Sequence, residues 1–263
     1  MQNIQFTVRK SLRHYVNCIM VGESKDPAGK LNMPLYADGY PGIMFQNSTN
    51  GLILLPRNKK LSELFLYGQT LDPITITADG TYRFVVMQLY PFASKYLLNV
   101  DPKILNDDCY DLLQLHHLKP DQYLQQLNST EDFSNQIEIM SDLIELLIDV
   151  HQVPTNDTVQ KAIQLIMEAE GQVMMKDVQD QVYVTERTLE RNFMQEVGLT
   201  PKQFAKIIQF QSTLDKLGAG NHEKFNDIGL DSGFADQSHF IRTFKKYTGL
   251  NPGQYVKQMT SLA

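Results

Sequence analysis

Along the first hundred residues the apolar positions come in short runs. Residues 42–45, 52–55 and 84–89 are each bounded by turn signals, among them Asp38 with Gly39, Pro41 with Gly42, Asn50 with Gly51, and Asp79 with Gly80. Asn-Gly and Asp-Gly pairs admit the positive φ that tight hairpins demand, so hairpins are expected there. Residues 74–77, Ile-Thr-Ile-Thr, alternate apolar and polar as a half-buried strand does. Short strands at this spacing predict a barrel or a sandwich.

After about residue 105 the period changes to helical. Phe133, Ile137, Met140, Ile144 and Leu147 recur at three- and four-residue steps, and Leu143, Leu146 and Val150 widen the stripe. Ser129 or Thr130 is expected to cap this helix, with Glu131 and Asp132 at the positive end of its dipole. The stripe fits either packing on its own barrel or pairing with a second protomer. Residues 152–156, Gln-Val-Pro-Thr-Asn, end the helical pattern and mark a linker. The division is therefore 1–152, with strands to 105 and helices over 106–152, followed by 153–263. In the second part helix follows helix, with turns near Gly171, Gly198, 218–221, Gly233 and Gly249.

This second part contains a repeat. A shift of 51 positions superposes Arg191 on Arg242, Phe193 on Phe244, Gly198 on Gly249, Leu199 on Leu250, Pro201 on Pro252 and Gln203 on Gln254. Thr185 and Asp236 read as N-caps of helices of about 12 residues, each ending before a glycine. Thr200 with Pro201, and Asn251 with Pro252, start the helices that follow. In the first capped helix Leu189, Phe193 and Val197 share one face. Arg187 and Arg191 lie opposite, flanked by Thr188 and Gln195. In the second, Phe240 and Phe244 form the inner stripe, while Ser238, His239, Arg242, Lys245 and Lys246 face away. Shorter helices, around 175–181 and 225–231, precede them. A helix, a tight turn and a helix with a polar, basic outer face make the helix-turn-helix plan.

The sequence over 157–257 resembles the DNA-binding domain of the AraC-type transcription regulators. The matching stretches are 187–193 (Arg-Thr-Leu-Glu-Arg-Asn-Phe), 198–204 (Gly-Leu-Thr-Pro-Lys-Gln-Phe) and above all 233–246 (Gly-Phe-Ala-Asp-Gln-Ser-His-Phe-Ile-Arg-Thr-Phe-Lys-Lys). The resemblance implies that a long helix, from Pro201 to about Leu217, joins the two units. Gln179 and Gly229 depart from it, standing where the family usually has alanine in the first helix of each unit. More weakly, residues 89–93 (Leu-Tyr-Pro-Phe-Ala) with Asp101 and Pro102 resemble the sensor domains that precede this module, which implies a cupin-like barrel with trailing helices. The fold class expected is α+β: that barrel, then an all-α domain of two helix-turn-helix units.

The expected DNA-binding residues are Thr185, Arg187, Thr188, Arg191, Gln195, Gln237, Ser238, His239, Arg242, Lys245 and Lys246. A solvated charge is the plain alternative at any one of them. The equivalent positions of Arg191 and Arg242 favour groove contact. Glu190 has two readings, an acceptor from cytosine N4 or a structural i,i+4 partner. Double-stranded promoter DNA is the partner expected, with RNA polymerase, a second copy of the chain and an unidentified small effector left open.

Charge weighs against DNA binding at first sight, since the chain carries a net −6. Residues 1–156 hold 12 basic and 17 acidic side chains, and residues 157–263 hold 12 and 13. A near-neutral module can bind DNA if its basic groups share a face, but its non-specific binding should be weak.

For an effector, Tyr36, Tyr40, Phe45, Tyr82 and Arg83 are candidate pocket residues, against ordinary core and surface roles. His116 and His117 invite a metal reading, but adjacent histidines on a helix diverge. His14 is alone in the barrel region, so neither metal nor cofactor is expected. Asp107 and Asp108 read as a helix start, and the methionines, Met140, Met174 and Met175 included, as core filling. No catalytic motif appears, which leaves a cupin-type enzyme with a helical appendage as the remote alternative. A purely dimerising N-terminal domain is the nearer one. Two cysteines, no bilayer-length apolar run and no signal-like N-terminus predict a reduced, cytoplasmic protein.

Overall fold

The computed structural model describes residues 6–218 and 232–262. The chain divides into two units. The first comprises Met1–Leu35, Tyr40–Gln69 and Ile74–Thr155; the second comprises Asn156–Ala263 with the short segments Tyr36–Gly39 and Thr70–Pro73.

The strands described in the first unit are β1 (Val16–Ser24), β2 (Lys30–Leu35), β3 (Gly42–Ser48), β4 (Ile53–Leu55), β5 (Lys59–Lys60), β6 (Leu64–Tyr67), β7 (Ile74–Asp79), β8 (Tyr82–Leu89) and β9 (Cys109–Asp111). They form two antiparallel sheets, ordered β1-β8-β3-β6-β9 and β2-β7-β4-β5. Met44, Phe65, Phe84 and Val86 of the first sheet meet Leu54, Ile76 and Ala78 of the second. Side chains alternate along a strand, so Ile43, Phe45, Val85 and Met87 point the other way, and all four are buried as well. Both faces of β3 and β8 are covered, which explains continuous apolar runs in place of alternation. Strand β7, covered on one face, keeps the alternation predicted for it: Ile76 and Ala78 are buried while Thr75 and Thr77 are only half-buried.

The turn signals set conformation without selecting the partner strand. Gly39, Gly51 and Gly80 do adopt φ of 78°, 82° and 91°. Gly51, however, lies between β3 and β4, and Gly80 between β7 and β8, which belong to opposite sheets. These are crossings between layers and not the expected hairpins; burial of both sheet faces decides the pairing. The change of period at 105 is not clean either. Helix α1 (Ala93–Leu98) lies before it and β9 after it. Asp108 does not begin a helix. Its carboxylate accepts from the Cys109 N–H at 2.7 Å and the Lys59 ammonium at 2.5 Å, beside Arg57.

Helix α2 (Pro120–Asn128) is followed by α3 (Phe133–His151). The cap of α3 is Asp132, whose side chain accepts from the Ser134 N–H at 2.8 Å. Thr130 instead accepts from the Asp132 N–H at 3.1 Å, and Ser129 ends α2. A capping side chain must stand directly before the first helical residue, and Asp132 does. The stripe Ile137, Met140, Ile144 and Leu147 is buried, and α3 packs on α1, α2 and β8 of its own unit. Val150, at the end of the stripe, is exposed.

The second unit contains α4 (Asp157–Glu168), α5 (Met175–Val182), α6 (Glu186–Val197), α7 (Pro201–Gly218), α8 (Gln237–Thr248) and α9 (Pro252–Leu262). Helix α4 packs on α5, α6 and α7. Gly171, at φ 75°, passes so close to α7 that a Cβ would lie 2.2 Å from the Ala205 carbonyl oxygen. Met140 is core, but Met174 is 71% exposed, against the core role expected of it. The turn expected at 218–221 falls mostly, and the helix expected at 225–231, with Gly229, wholly, outside the described residues.

Candidate nucleic-acid interface

Each capped helix is set by the same local devices. The Thr185 hydroxyl accepts from the Thr188 N–H at 3.3 Å, and the Asp236 carboxylate accepts from the His239 N–H at 2.7 Å. Both α6 and α8 run 12 residues. They end on Gly198 and Gly249, at φ 79° and 73°, whose N–H groups close on the Met194 and Lys245 carbonyls. The repeat in sequence is thus a repeat in structure.

Both helices lean on α7. The Phe193 ring of α6 lies 5.6 Å from Phe204, near the start of α7. Further along, Phe210 lies 5.7 Å from Phe244 and 5.0 Å from Tyr247 of α8. One helix therefore supplies core to both units. Leu189, Phe193 and Val197 of α6 are buried, as are Phe240, Phe244, Tyr247 and Thr248 of α8. Burial of one face turns the other outward.

That outer face carries the expected residues. On α6, Arg187, Arg191 and Gln195 are exposed, Thr185 is exposed at the cap, and Thr188 is half-buried. On α8, Gln237, Ser238, Arg242, Lys245 and Lys246 are exposed. His239 is half-buried, its ring edge-on to Phe234 at 5.4 Å. Among the described residues, no carboxylate forms an ion pair with Arg187, Arg191, Arg242, Lys245 or Lys246. The two faces differ in charge. Helix α6 has Glu186, Glu190 and Glu196 against two arginines, whereas α8 has no acidic residue.

The candidate effector residues are only partly brought together. Phe45, Tyr82 and Arg83 line a cavity of about 300 Å³ in the first unit, with Glu23, Asn47 and Gln136. Tyr36 and Tyr40 are not among its lining residues. Arg83 is committed to its surroundings. It pairs with Glu23, donates to the Glu131 carbonyl and to Gln136 Oε1, and lies 3.6 Å over the Phe133 ring. Gln136, 1% exposed, donates in turn to the carbonyls of Leu127 and Thr130. Sequence reading missed Gln136 because a polar residue on the buried face breaks the stripe that located α3.

His116 and His117 begin a 3₁₀ turn. Among the described residues no group of three or more His, Cys, Asp or Glu side chains is placed to hold a metal ion, and no helix is long and apolar enough to cross a membrane.

Residues 179–258 match the family model described as a helix-turn-helix domain, and residues 5–111 match a domain of unknown function, DUF6597. An uncharacterised HTH-type transcriptional regulator of Haemophilus influenzae is 31% identical over 70 residues, which are 27% of this chain and 23% of that protein. Among solved structures, ToxT from Vibrio cholerae is 13% identical with a TM-score of 0.49, covering 94% of this chain and 99% of that one. A probable AraC family transcriptional regulator from Rhodopseudomonas palustris is 19% identical with a TM-score of 0.37, covering 39% of this chain and 97% of its own. The family match falls on the repeated, capped helices described above, and residues 179–258 of this chain carry a helix-turn-helix domain.

Proposed function

We propose that one chain of this regulator reads two neighbouring segments of promoter DNA, α6 in one major groove and α8 in the next. The observation that carries the reading is the equivalence of Arg191 and Arg242. Both are exposed, both lie six residues beyond an N-cap, and both stand on helices held by the shared α7. Helix α7 has 18 residues and so is about 27 Å long. With the width of the units added, that fits adjacent major grooves on one side of a duplex, about 34–36 Å apart. The two outer faces differ in composition, so the site for one chain is asymmetric. No second copy is needed to contact both segments, and the reading assigns the chain no catalytic step.

Base-preference selection with the full chain and with Arg191→Ala and Arg242→Ala tests this. Each variant is expected to lose about 1–3 kcal/mol of binding and to relax preference in a different segment, about 10 base pairs apart. Loss of preference at the same base pairs in both variants, or no change in affinity, overturns it.

The cavity beside Phe45, Tyr82 and Arg83 favours control by a small polar effector in the first unit. Its volume is at the lower end for ligand sites. A metabolite screen by thermal shift tests this, since a ligand of the native state raises its melting temperature. Arg83→Met is expected to abolish any such shift; a shift unchanged in that variant places the effector elsewhere.

A further inference from the structure

Tyr183 forms the turn between α5 and α6, and it is an unusual residue to find there. Its backbone is left-handed, with φ 55° and ψ 40°, and its N–H closes α5 on the Gln179 carbonyl. A residue with a Cβ is strained in that region, whereas glycine is not. The strain brings no packing in return, because Tyr183 is 91% exposed, the highest exposure among the large hydrophobic residues described. Among the described residues its hydroxyl has no hydrogen-bond partner and its ring no aromatic neighbour.

The repeat supplies the comparison. Tyr183 and Phe234 are equivalent under the shift of 51, each two residues before an N-cap. In the second helix-turn-helix the left-handed residue is Gly233, at φ 78°, and Phe234 is tucked in at 4% exposure, 5.4 Å from the Phe240 ring. There the left-handed residue is thus a glycine one position earlier, equivalent to Val182, and the aromatic itself is buried. In the first helix-turn-helix the tyrosine is itself the left-handed residue and its ring is exposed. Strained, unrewarded backbone of this kind concentrates at functional sites.

We propose that Tyr183 is a DNA-backbone contact of the first helix-turn-helix, its hydroxyl donating to a phosphate at the edge of the groove that α6 enters. This rests on the two-groove reading above. The N-terminal end of a recognition helix is the end that meets the bases. A residue two positions before the cap lies at most about 7 Å from it along the chain, comparable with half the roughly 12 Å width of the major groove. Tyrosine is among the side chains that bind phosphate, and such contacts set register without carrying base preference. Helix α6 carries three glutamates beside its two arginines, and a neutral hydroxyl donor there adds an anchor to theirs.

The test uses the full chain and duplexes enriched by it from a random library of about 40 base pairs, long enough for two grooves with flanks. Affinity is measured for wild type, Tyr183→Phe and Tyr183→Gly, with melting temperature alongside. Tyr183→Phe is expected to bind every enriched duplex about tenfold more weakly, the worth of one hydrogen bond to a charged group. Base preference is expected to stay unchanged. Tyr183→Gly is expected to bind as weakly while melting no lower than wild type, since the strain is relieved. Wild-type affinity in both variants overturns the contact and leaves the two-groove reading standing. Altered base preference overturns the assignment to backbone. Failure of the wild-type chain to enrich any duplex overturns the reading and the contact together.

Discussion

Gln203 and Gln254, 51 positions apart, make the same pair of hydrogen bonds. The Gln203 side-chain oxygen accepts from the Thr200 N–H at 3.0 Å while the Gln203 backbone N–H donates to the Thr200 hydroxyl at 3.2 Å. Gln254 accepts from the Asn251 N–H at 2.9 Å and donates to the Asn251 side chain at 2.9 Å. These are reciprocal capping boxes, each satisfying two backbone donors that a helix start leaves unpaired. Replacing either glutamine by alanine is expected to cost about 0.5–1 kcal/mol. Amide hydrogen exchange is the local measure: exchange at Thr200 is expected to quicken about three- to fivefold in Gln203→Ala, and at Asn251 in Gln254→Ala, with no cross effect.

That glutamine match was visible in the sequence as an unexplained coincidence, and the structure gives it a cause. The second unit was legible because its signals are local: a cap, a stop glycine and an apolar spacing of four fix α6 and α8 without reference to the rest of the chain. The first unit was less legible because strand pairing is not local. Asn50 with Gly51, and Asp79 with Gly80, announce turns, but whether β4 joins β3 or the opposite sheet depends on residues far away, such as Ile76 and Phe65. The candidate cavity was half legible for the same reason. Tyr82 and Arg83 adjoin in sequence, but Gln136 reaches them only through the packing of α3 on β8. Tyr183 escaped notice because a tyrosine gives no sign of left-handed backbone.

Phe210 is fully buried and is the ring through which α7 holds α8, at 5.7 Å from Phe244 and 5.0 Å from Tyr247. Phe210→Ala is expected to cost about 3–5 kcal/mol, a transfer term plus a cavity term. Because Phe204 serves α6 separately, the loss should fall on one unit. Hydrogen exchange is expected to show α8 and α9 losing protection while α4, α5 and α6 keep most of theirs. Equal loss across all the helices would mean that the two units unfold as one body.

Glu170 ties the end of α4 to α7, accepting from the Lys216 ammonium at 2.8 Å and the Ser212 hydroxyl at 2.6 Å. The hydrogen bond from Lys216, then that from Ser212, holds its carboxyl below the ordinary glutamate range. A carboxyl lowered in the folded state stabilises above its unfolded pKa of about 4.3, and the gain disappears as pH falls through the folded value. The site is exposed, so the effect is small. Wild type is expected to melt slightly above Glu170→Gln at about pH 7, with the gap closed once the solution is more acidic than the folded carboxyl. A gap that persists in strong acid would trace to the amide and not to the charge.

Lys245 and Lys246 lie in the last turn of α8, and two roles compete for them. Cations there complement the helix dipole, worth about 0.3–1 kcal/mol of stability. They are also exposed on a helix with no acidic residue, next to Arg242 on its outer face, which suits phosphate contact. Lys246 in addition lies 5.0 Å from the Tyr247 ring centroid. The roles separate in salt. Each phosphate neutralised by a lysine adds about one to the slope of log affinity against log salt concentration. Lys245→Ala and Lys246→Ala are therefore each expected to lower that slope by about one and to weaken binding to all duplexes alike, while Arg242→Ala alters which bases are preferred. If the lysines serve only the dipole, the salt slope stays at its wild-type value and the melting temperature falls instead. Titrations of affinity from about 50 to 200 mM salt, over which electrostatic binding changes most visibly, distinguish the two.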